Sequence, residues 1–216
     1  MIRTVLLGAT PRSLDERRRL ATPARRAAQT TDHQAFGYDY FDNPAAMGYG
    51  GYRYDGRFAD EAARVARFFE LVPSARILEI GCAKGYLLVE FAKLGFAVTG
   101  IDLSPYAVTQ AHPLLAGCLR QGGAVDFDFP AGYFDLAIAK EVLPHMERDE
   151  VKATVQRLAT WARHTLLVIQ CVSAPAMAEA FLNWDSTHRL ALTAGQWEEL
   201  LEEVGYSGYV HFKDIV

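Results

Sequence analysis

The sequence predicts an α/β fold: a three-layer sandwich in which helices cover both faces of a mostly parallel, doubly wound sheet. From about residue 58 onward, short apolar runs of strand length alternate with longer segments of helical periodicity. Such alternation produces βαβ units, whose strands run parallel and are buried on both faces. The chain has 216 residues, 50% of them hydrophobic, which is enough for one substantial core.

The predicted strands are short apolar segments. Residues 76–80 read Arg-Ile-Leu-Glu-Ile and end at Gly81, which suits a buried strand. Further strands are expected at residues 97–101, 134–139, 165–171 and 209–216. In such sheets ligands bind beyond the carboxyl ends of the strands, near the point where the strand order reverses. The loops after residues 80, 101 and 139 are therefore expected to carry the chemistry.

The predicted helices have recognisable starts and stops. Residues 86–94 place Phe91 and three leucines on one face, and Gly95 is a typical C-terminal stop. Ser104 and Pro105 are a typical N-cap and first helical residue, so a helix is expected to follow. The other helices are expected at residues 60–69, 148–163 and 196–203.

The chain is expected to contain one domain with an extension. Residues 58–216 form the α/β domain, and residues 1–57 form an N-terminal extension. Within it, residues 35–57 are dense in aromatic residues and glycine, a composition typical of a mobile lid that closes over a site. The alternative is an aromatic cluster that only packs the extension onto the core.

The charge distribution disfavours a dedicated nucleic-acid binder. The net charge is −4, whereas phosphate contacts require clustered Lys and Arg. Residues 1–30 carry seven arginines and two acidic residues, which leaves a nucleic-acid arm or an organellar transit peptide open. A solvated helix or tail is favoured, because acidic residues interrupt the run.

Three further features predict a cytoplasmic protein without a membrane anchor. The three cysteines are odd in number and lack metal-ligand spacing, which indicates free thiols in a reducing compartment. No apolar run approaches the ~20 residues that span a bilayer. The N-terminus does not have the pattern of a secretory signal. A homodimer is compatible with all of these features.

The first strand-to-helix loop and the end of the second strand together indicate an adenosine-containing cofactor. Residues 79–86 read Glu-Ile-Gly-Cys-Ala-Lys-Gly-Tyr, and their glycines permit a tight turn that lets the backbone approach a ligand. Asp102 follows Gly81 by 21 residues, and a carboxylate there can accept both hydroxyls of a ribose. A nicotinamide cofactor is disfavoured, because its fingerprint requires glycine or alanine where this chain has Tyr86.

These residues resemble the acidic-x-Gly-x-Gly-x-Gly pattern of class I S-adenosylmethionine (SAM)-dependent methyltransferases, with Ala83 in the middle glycine position. The resemblance continues through the sequences at residues 102–104, 133–137 and 140–145, so that it covers roughly residues 75–172. It implies the Rossmann-like fold, methyltransferase activity and SAM as cofactor. It also implies an antiparallel strand pair at the end of the chain, where only one strand is evident, so a shortened sheet edge is expected.

The resemblance also implies roles for individual residues. Glu79 orients the loop and the amino group of the cofactor, Asp102 binds the ribose, and Leu103 packs on adenine. The family often has an aspartate near the end of the third strand, where this chain has Gly123; Asp126, Asp128 or the backbone alone would then hold adenine. Lys140, and Cys82 within the loop, would contribute backbone. The predicted cofactor-binding residues of the core are Glu79, Gly81, Cys82, Ala83, Gly85, Asp102, Leu103 and Lys140.

The aromatic segment adds two candidate cofactor contacts. Arg53 or Arg57 could pair with the cofactor carboxylate, because guanidinium binds carboxylates in a fork. Tyr52 or Tyr54 could pack near the sulfonium, whose positive charge is attracted to aromatic faces. Packing of the extension onto the core remains the alternative for all four side chains.

The candidate catalytic residues are Asp185, His188 and His145. An Asp–His pair at 185 and 188 could act as a general base for a hydroxyl acceptor, with the carboxylate orienting the imidazole; the segment loosely resembles an Asp-x-Thr-His segment of some methyltransferases. His145 is a second candidate, with helix capping or packing as its alternative. Neither histidine has metal-ligand spacing with another His or Cys, so no metal site is predicted.

The predicted function is SAM-dependent methyl transfer to an oxygen or nitrogen of a small molecule, in the class of sugars and secondary metabolites. The alternatives are a non-catalytic adenosine-binding module and a nucleic-acid methyltransferase that uses the Arg-rich N-terminus. An NAD-dependent oxidoreductase is disfavoured by Tyr86.

Overall fold

A computed structural model of the chain describes residues 2–4, 23–46 and 48–214. It contains a seven-stranded sheet in the order β1-β7-β6-β5-β2-β3-β4, with every pair of neighbouring strands parallel. The strands are β1 (Arg3–Thr4), β2 (Arg76–Ile80), β3 (Ala97–Asp102), β4 (Leu119–Gln121), β5 (Phe134–Lys140), β6 (Ala162–Cys171) and β7 (Tyr209–Asp214).

The α-helices fall into an N-terminal group and a group that alternates with the strands. The first group is α1 (Pro23–Ala27), α2 (Thr31–Gln34) and α3 (Tyr38–Phe41). The second is α4 (Ala59–Phe68), α5 (Tyr86–Lys93), α6 (Pro105–Thr109), α7 (Arg148–Trp161), α8 (Ala178–Trp184) and α9 (Ala194–Glu203). In the part of the chain that the structure describes, no helix is both long enough and apolar enough to cross a membrane.

Two apolar layers, one on each face of the sheet, give the predicted three-layer architecture. Successive residues of β2 point to opposite faces, so Leu78 packs into one layer and Ile77 into the other. The first layer includes Trp161 of α7 and Trp197 of α9, both almost fully buried. The second layer contains Ala62, Val65, Leu87, Leu88 and Phe91 of helices α4 and α5. The predicted sandwich with a doubly wound sheet is confirmed.

The C-terminal edge of the sheet differs from the expected antiparallel end. Strand β7 pairs in parallel with β6, because α8 and α9 return the chain to the starting end of the sheet before β7 begins. The edge is not shortened either, since β1 adds two residues in parallel register beyond β7. The last two residues of the predicted 209–216 strand, and most of the Arg-rich segment, lie outside the described residues.

The strand order places the loop after β2 at a reversal point. From β2 the chain goes to β3 and β4 on one side, and then to β5 on the opposite side of β2. Ligands of open α/β sheets bind at such a reversal, beyond the carboxyl ends of the strands. The segment from α2 to residue 57 packs near these strand ends, as its contacts with Lys84, Ser104 and Asp185 show.

Candidate functional site

The loop between β2 and α5 requires glycine at two positions. Gly81 has φ +69° and Gly85 has φ +77°, conformations that L-residues rarely adopt. A Cβ at Gly81 would overlap the side chain of Val142, and one at Gly85 would overlap Leu115. Ala83 also has a positive φ, of 49°. The loop therefore follows a path with little side-chain bulk, as a close approach to a ligand requires.

Asp102, at the carboxyl end of β3, connects two loops of the site. Its Oδ2 accepts a hydrogen bond of 2.7 Å from the backbone N–H of Ala83, and its Oδ1 accepts one of 2.8 Å from the N–H of Ser104. Burial raises the pKa of the Asp102 carboxyl above its ordinary value. Each carboxylate oxygen keeps a second lone pair, so both remain able to accept a ligand hydroxyl.

An apolar surface lies beside Asp102, where adenine is expected. Leu103 is 58% exposed and Val125 is 55% exposed, although both are large apolar side chains. Leu103 lies next to Gly123, where a Cβ would be 3.6 Å from its Cδ2. The carboxylate of Asp126 accepts a 2.7 Å hydrogen bond from the N–H of Gly123 and so caps its own turn. The apolar surface of Leu103 and Val125 can therefore stack on a flat ring. One carboxylate oxygen of Asp126 already accepts a hydrogen bond from the backbone N–H of Gly123.

Glu79 is a buried carboxyl without a matching partner. Its side chain is 4% exposed, and its Oε2 makes no hydrogen bond with the described residues. Burial raises the pKa of Glu79 to about 8, although the charge of Lys140 acts in the opposite direction. A buried polar atom of this kind requires a partner, which a ligand amino group would supply.

Lys140, at the end of β5, belongs to a charged network beside Glu79. Its Nζ lies 3.1 Å from Glu141 Oε1 and 4.0 Å from Glu61 Oε2, and 4.9 Å from the centre of the Phe58 ring. Burial opposes the charge of Lys140, but Glu141 and Glu61 outweigh it and raise the pKa of the ammonium. The Lys140 side chain is therefore held by protein carboxylates, and the predicted contact of its backbone with a cofactor stays a prediction.

The N-terminal extension is attached to the glycine loop by a buried ion pair. Lys84 is 4% exposed, and its Nζ donates to Asp42 Oδ2 at 2.6 Å and to the carbonyl of Tyr52 at 3.0 Å. Tyr106 donates a second hydrogen bond to the same Asp42 oxygen, at 2.6 Å. The sequence predicted no role for the Lys84 side chain, since the glycine loop needs only its backbone, and did not predict Asp42, which lies 42 residues away and outside any motif.

The predicted lid residues differ in their contacts and in their exposure to solvent. The Tyr52 ring stacks on Tyr86 with centroids 4.8 Å apart, and burial, together with the charge of Tyr49 and Glu79, raises the pKa of its hydroxyl well above the ordinary value. Arg57 is paired with Asp55 at 2.6 Å. Arg53 is exposed. Of the two arginines, Arg53 is therefore the one available for a cofactor carboxylate.

The three predicted catalytic residues come together at the carboxyl side of β5 and β6. His145, Asp185 and His188 each offer one nitrogen or oxygen atom, and these atoms all lie within 4.8 Å of one another. The Nδ1 of His145 is 2.8 Å from Thr187 Oγ1, and that hydroxyl donates to Asp185 Oδ1 at 2.7 Å. Sequence spacing did not predict this potential ligand set, since the loop after α8 brings residues 40 positions apart into contact.

The two histidines of this cluster differ in accessibility. His188 is 2% exposed and stacks on Phe181 with centroids 4.1 Å apart. Burial lowers its pKa to about 3, so the ring is neutral at physiological pH. His145 is only partly buried, and burial also lowers its pKa. For Asp185, burial is outweighed by the neighbouring imidazoles of His33 and His188, which hold the pKa of this carboxyl well below its ordinary range.

Residues of the N-terminal extension surround Asp185. His33 is 1% exposed and places Nε2 at 3.5 Å from Asp185 Oδ1, while the Tyr40 hydroxyl donates to Oδ2 at 3.3 Å. Phe36 connects this cluster to the cofactor side, because its ring centroid is 5.7 Å from that of His145 and its carbonyl accepts from Ser104 Oγ at 2.5 Å. None of these residues was predicted to lie here; Phe36 and Tyr40 belong to the aromatic segment of residues 35–57, and His33 lies outside it.

Comparison with known proteins identifies the family. Residues 52–210 match the sequence model of the methyltransferase domain family, a range that includes the glycine loop, Asp102 and the histidine cluster. The chain belongs to this methyltransferase family. The predicted membership in the class I methyltransferases is confirmed.

Named methyltransferases are similar to parts of the chain. The mitochondrial ubiquinone biosynthesis O-methyltransferase of Schizosaccharomyces pombe is 33% identical over 112 residues, covering 48% of this chain and 40% of that protein. The magnesium-protoporphyrin O-methyltransferase of Rhodobacter capsulatus is 26% identical over 133 residues, covering 59% of this chain and 58% of that protein. The chain thus spans less than two thirds of the length of either relative.

A solved structure has a similar α/β fold. The YcgJ protein of Bacillus subtilis superposes with a TM-score of 0.55 at 20% identity, over 66% of each chain. At this level of identity the similarity concerns the fold alone.

The raised pKa of Glu79 predicts a pH-dependent stability. The folded protein holds the Glu79 proton up to about pH 8, whereas the unfolded chain releases it near the ordinary value of 4.5. Because the folded state binds more protons in this window, stability relative to Glu79→Gln should fall as the pH rises from about 5 to about 8, and then level off. Urea unfolding of the cofactor-free protein measures this difference. The exposed Glu202→Gln variant serves as control and should follow the wild type; parallel curves for Glu79→Gln and wild type would contradict the assignment.

Proposed function

We propose that the protein transfers the methyl group of SAM to a hydroxyl oxygen of a small molecule. The observation that carries the proposal is Asp102: a partly buried carboxylate at the reversal point of the sheet that anchors the glycine loop and retains free lone pairs for ribose hydroxyls. Membership in the methyltransferase family supports this interpretation.

The residues at the strand ends fit SAM as a whole. Asp102 would accept the ribose hydroxyls, and the exposed side chain of Leu103 would stack on adenine. The unpartnered Oε2 of Glu79 would accept a hydrogen bond from the amino group of the methionine part, whose charge would replace the missing partner. Backbone of residues 81–85 and of Lys140 would line the sides, and Arg53 would pair with the carboxylate.

Positioning and exclusion of water supply most of the acceleration in such a transfer. SAM supplies a methyl group that is already electrophilic because it is bound to a sulfonium sulfur. The protein then has to hold an acceptor oxygen in line with it and keep water out. The Asp42–Lys84 ion pair and the stack of Tyr52 on Tyr86 hold the extension over the glycine loop, which would keep water out.

The cluster of His145, Asp185 and His188 is proposed to promote loss of the acceptor's proton. An alcohol or phenol attacks far better as the oxyanion, so a hydroxyl acceptor benefits from groups that remove its proton. The assignment of His188 as the base stays a prediction, but its 2% exposure leaves it little room to touch an acceptor. His145 is more accessible, and its link to Asp185 through Thr187 orients the ring. Direct contact with the acceptor is therefore assigned to His145.

The relatives favour oxygen over nitrogen as the acceptor atom, since both carry O-methyltransferase in their names. Those names refer to ubiquinone biosynthesis and to magnesium-protoporphyrin, which supports a small organic acceptor for this chain as well.

The three cysteines are all free thiols, which fits the predicted cytoplasmic location.

The ribose assignment predicts the effect of Asp102→Asn. Losing the charge weakens two hydrogen bonds to ribose, so affinity for S-adenosylhomocysteine should fall by about 10- to 100-fold. Isothermal titration calorimetry measures the affinity, and circular dichroism checks that the variant is folded. The exposed Glu202→Gln variant, in α9, is the control and should bind as the wild type does. Unchanged affinity in Asp102→Asn would refute the assignment.

The acceptor-side assignment predicts a separation of turnover from cofactor binding. His145→Gln should lower kcat by about 10²- to 10⁴-fold, the usual contribution of a group that assists proton transfer, while the affinity for SAM stays unchanged. Release of S-adenosylhomocysteine in the presence of a panel of small phenols and other hydroxyl compounds measures turnover. The exposed His164→Gln variant should retain wild-type activity. Full activity of His145→Gln would eliminate the proposed role.

A further inference from the structure

We propose that His145, Asp185 and His188 bind a divalent first-row transition-metal ion, of the class represented by Zn²⁺ and Fe²⁺. The binding of the ion is independent of the proposed function. Its consequence for the acceptor rests on the proposed methyl transfer.

The donor set suits such an ion. Two imidazoles and one carboxylate, each with a ligand atom within 4.8 Å of the other two, form the combination that binds zinc and non-haem iron and leaves coordination positions open. The imidazole rings of His145 and His188 are close together, with centroids 4.5 Å apart. Hard ions such as Mg²⁺ and Ca²⁺ prefer sites made mostly of oxygen ligands, so the histidines favour a transition metal.

The hydrogen bonds around the histidines leave one nitrogen of each ring available. Thr187 donates its hydroxyl proton to Asp185, so it accepts from the Nδ1–H of His145 and leaves the Nε2 lone pair free. The Nδ1 of His188 lies 3.5 Å from the carbonyl oxygen of Phe181. With its Nδ1–H directed at that oxygen, His188 likewise keeps the Nε2 lone pair free. Metal-binding histidines usually donate their second N–H to an oxygen in this way.

A second, independent observation is the state of His33. This side chain is 1% exposed, and neither of its ring nitrogens makes a hydrogen bond of normal geometry with the described residues. Its Nε2 lies 3.5 Å from Asp185 Oδ1, so the unpartnered ring lies at the edge of the cluster. Since neither ring nitrogen has a hydrogen-bond partner among the described residues and the nearest carboxylate oxygen is 3.5 Å away, an ion on Asp185 or a water bound to that ion would supply the missing partner.

A bound ion would also explain how a hydroxyl acceptor becomes reactive. Coordination of the acceptor oxygen at an open position would lower the pKa of its O–H group, and the proton would pass to solvent. The oxygen then forms the new bond to the methyl carbon as the methyl–sulfur bond breaks, which leaves S-adenosylhomocysteine and the methyl ether. With the ion bound, His145 would act on the acceptor through the ion and not by touching it. Without an ion, the same three residues would act only as a hydrogen-bonded proton relay.

Titration of the metal-free full-length protein with Co²⁺ tests the proposal. Chelator-treated wild type should bind one equivalent and develop visible cobalt absorption bands, without the charge-transfer band that thiolate ligands produce. Zn²⁺ should displace the cobalt. Removing a ligand should weaken binding at least about tenfold, in both His145→Ala and Asp185→Asn. The His164→Ala variant, which changes an exposed histidine near the start of β6, should bind as the wild type does.

The outcomes separate this inference from the proposed function. Absence of stoichiometric binding by the wild type, or equal binding by the folded His145→Ala variant, would overturn the metal site. Circular dichroism establishes folding, and the partly buried position of His145 makes its variant usable if Asp185→Asn is unstable. Calorimetry with S-adenosylhomocysteine on the same metal-free samples measures cofactor binding separately. Retained cofactor binding with no metal binding would overturn the metal site alone.

Discussion

The carboxylate of Asp102 is the constraint on which the rest of the site depends. By accepting one backbone N–H from the loop after β2 and another from the loop after β3, it fixes the relative position of two βα units. The positive φ of Ala83 is stabilised by the same contact, since the donating N–H belongs to that residue. A ligand that also binds Asp102 is thereby placed between the glycine loop and the apolar surface of Leu103.

The N-terminal extension completes both halves of the site. On the cofactor side, Asp42 neutralises the buried Lys84 and holds the segment on the glycine loop. On the acceptor side, His33 and Tyr40 surround Asp185. A buried lysine or aspartate without its partner is costly, so these contacts are mutually dependent. The described part of the extension is therefore better regarded as a wall of the proposed site than as a lid that only opens and closes.

The features that the sequence predicted correctly are those set by local sequence patterns. Glycines at fixed offsets, the N-cap at Ser104 and apolar runs led to the correct fold and family. Strand β1 was missed and β4 was implied only by the resemblance, because they have two and three residues, too few for periodicity to appear. Contacts such as His33 with Asp185 join residues far apart in the chain, and the burial of His188 depends on how α8 packs. Such features follow from tertiary packing, which no local pattern contains.

Asp102 and the glycine loop are proposed to bind the nucleoside half of SAM. A crystal structure of the protein with S-adenosylhomocysteine tests it most directly. The account predicts both ribose hydroxyls within hydrogen-bonding distance of the Asp102 carboxylate, adenine against Leu103 and the amino group beside Glu79. A nucleoside bound elsewhere on the protein, or no bound nucleoside at saturating concentration, would contradict it.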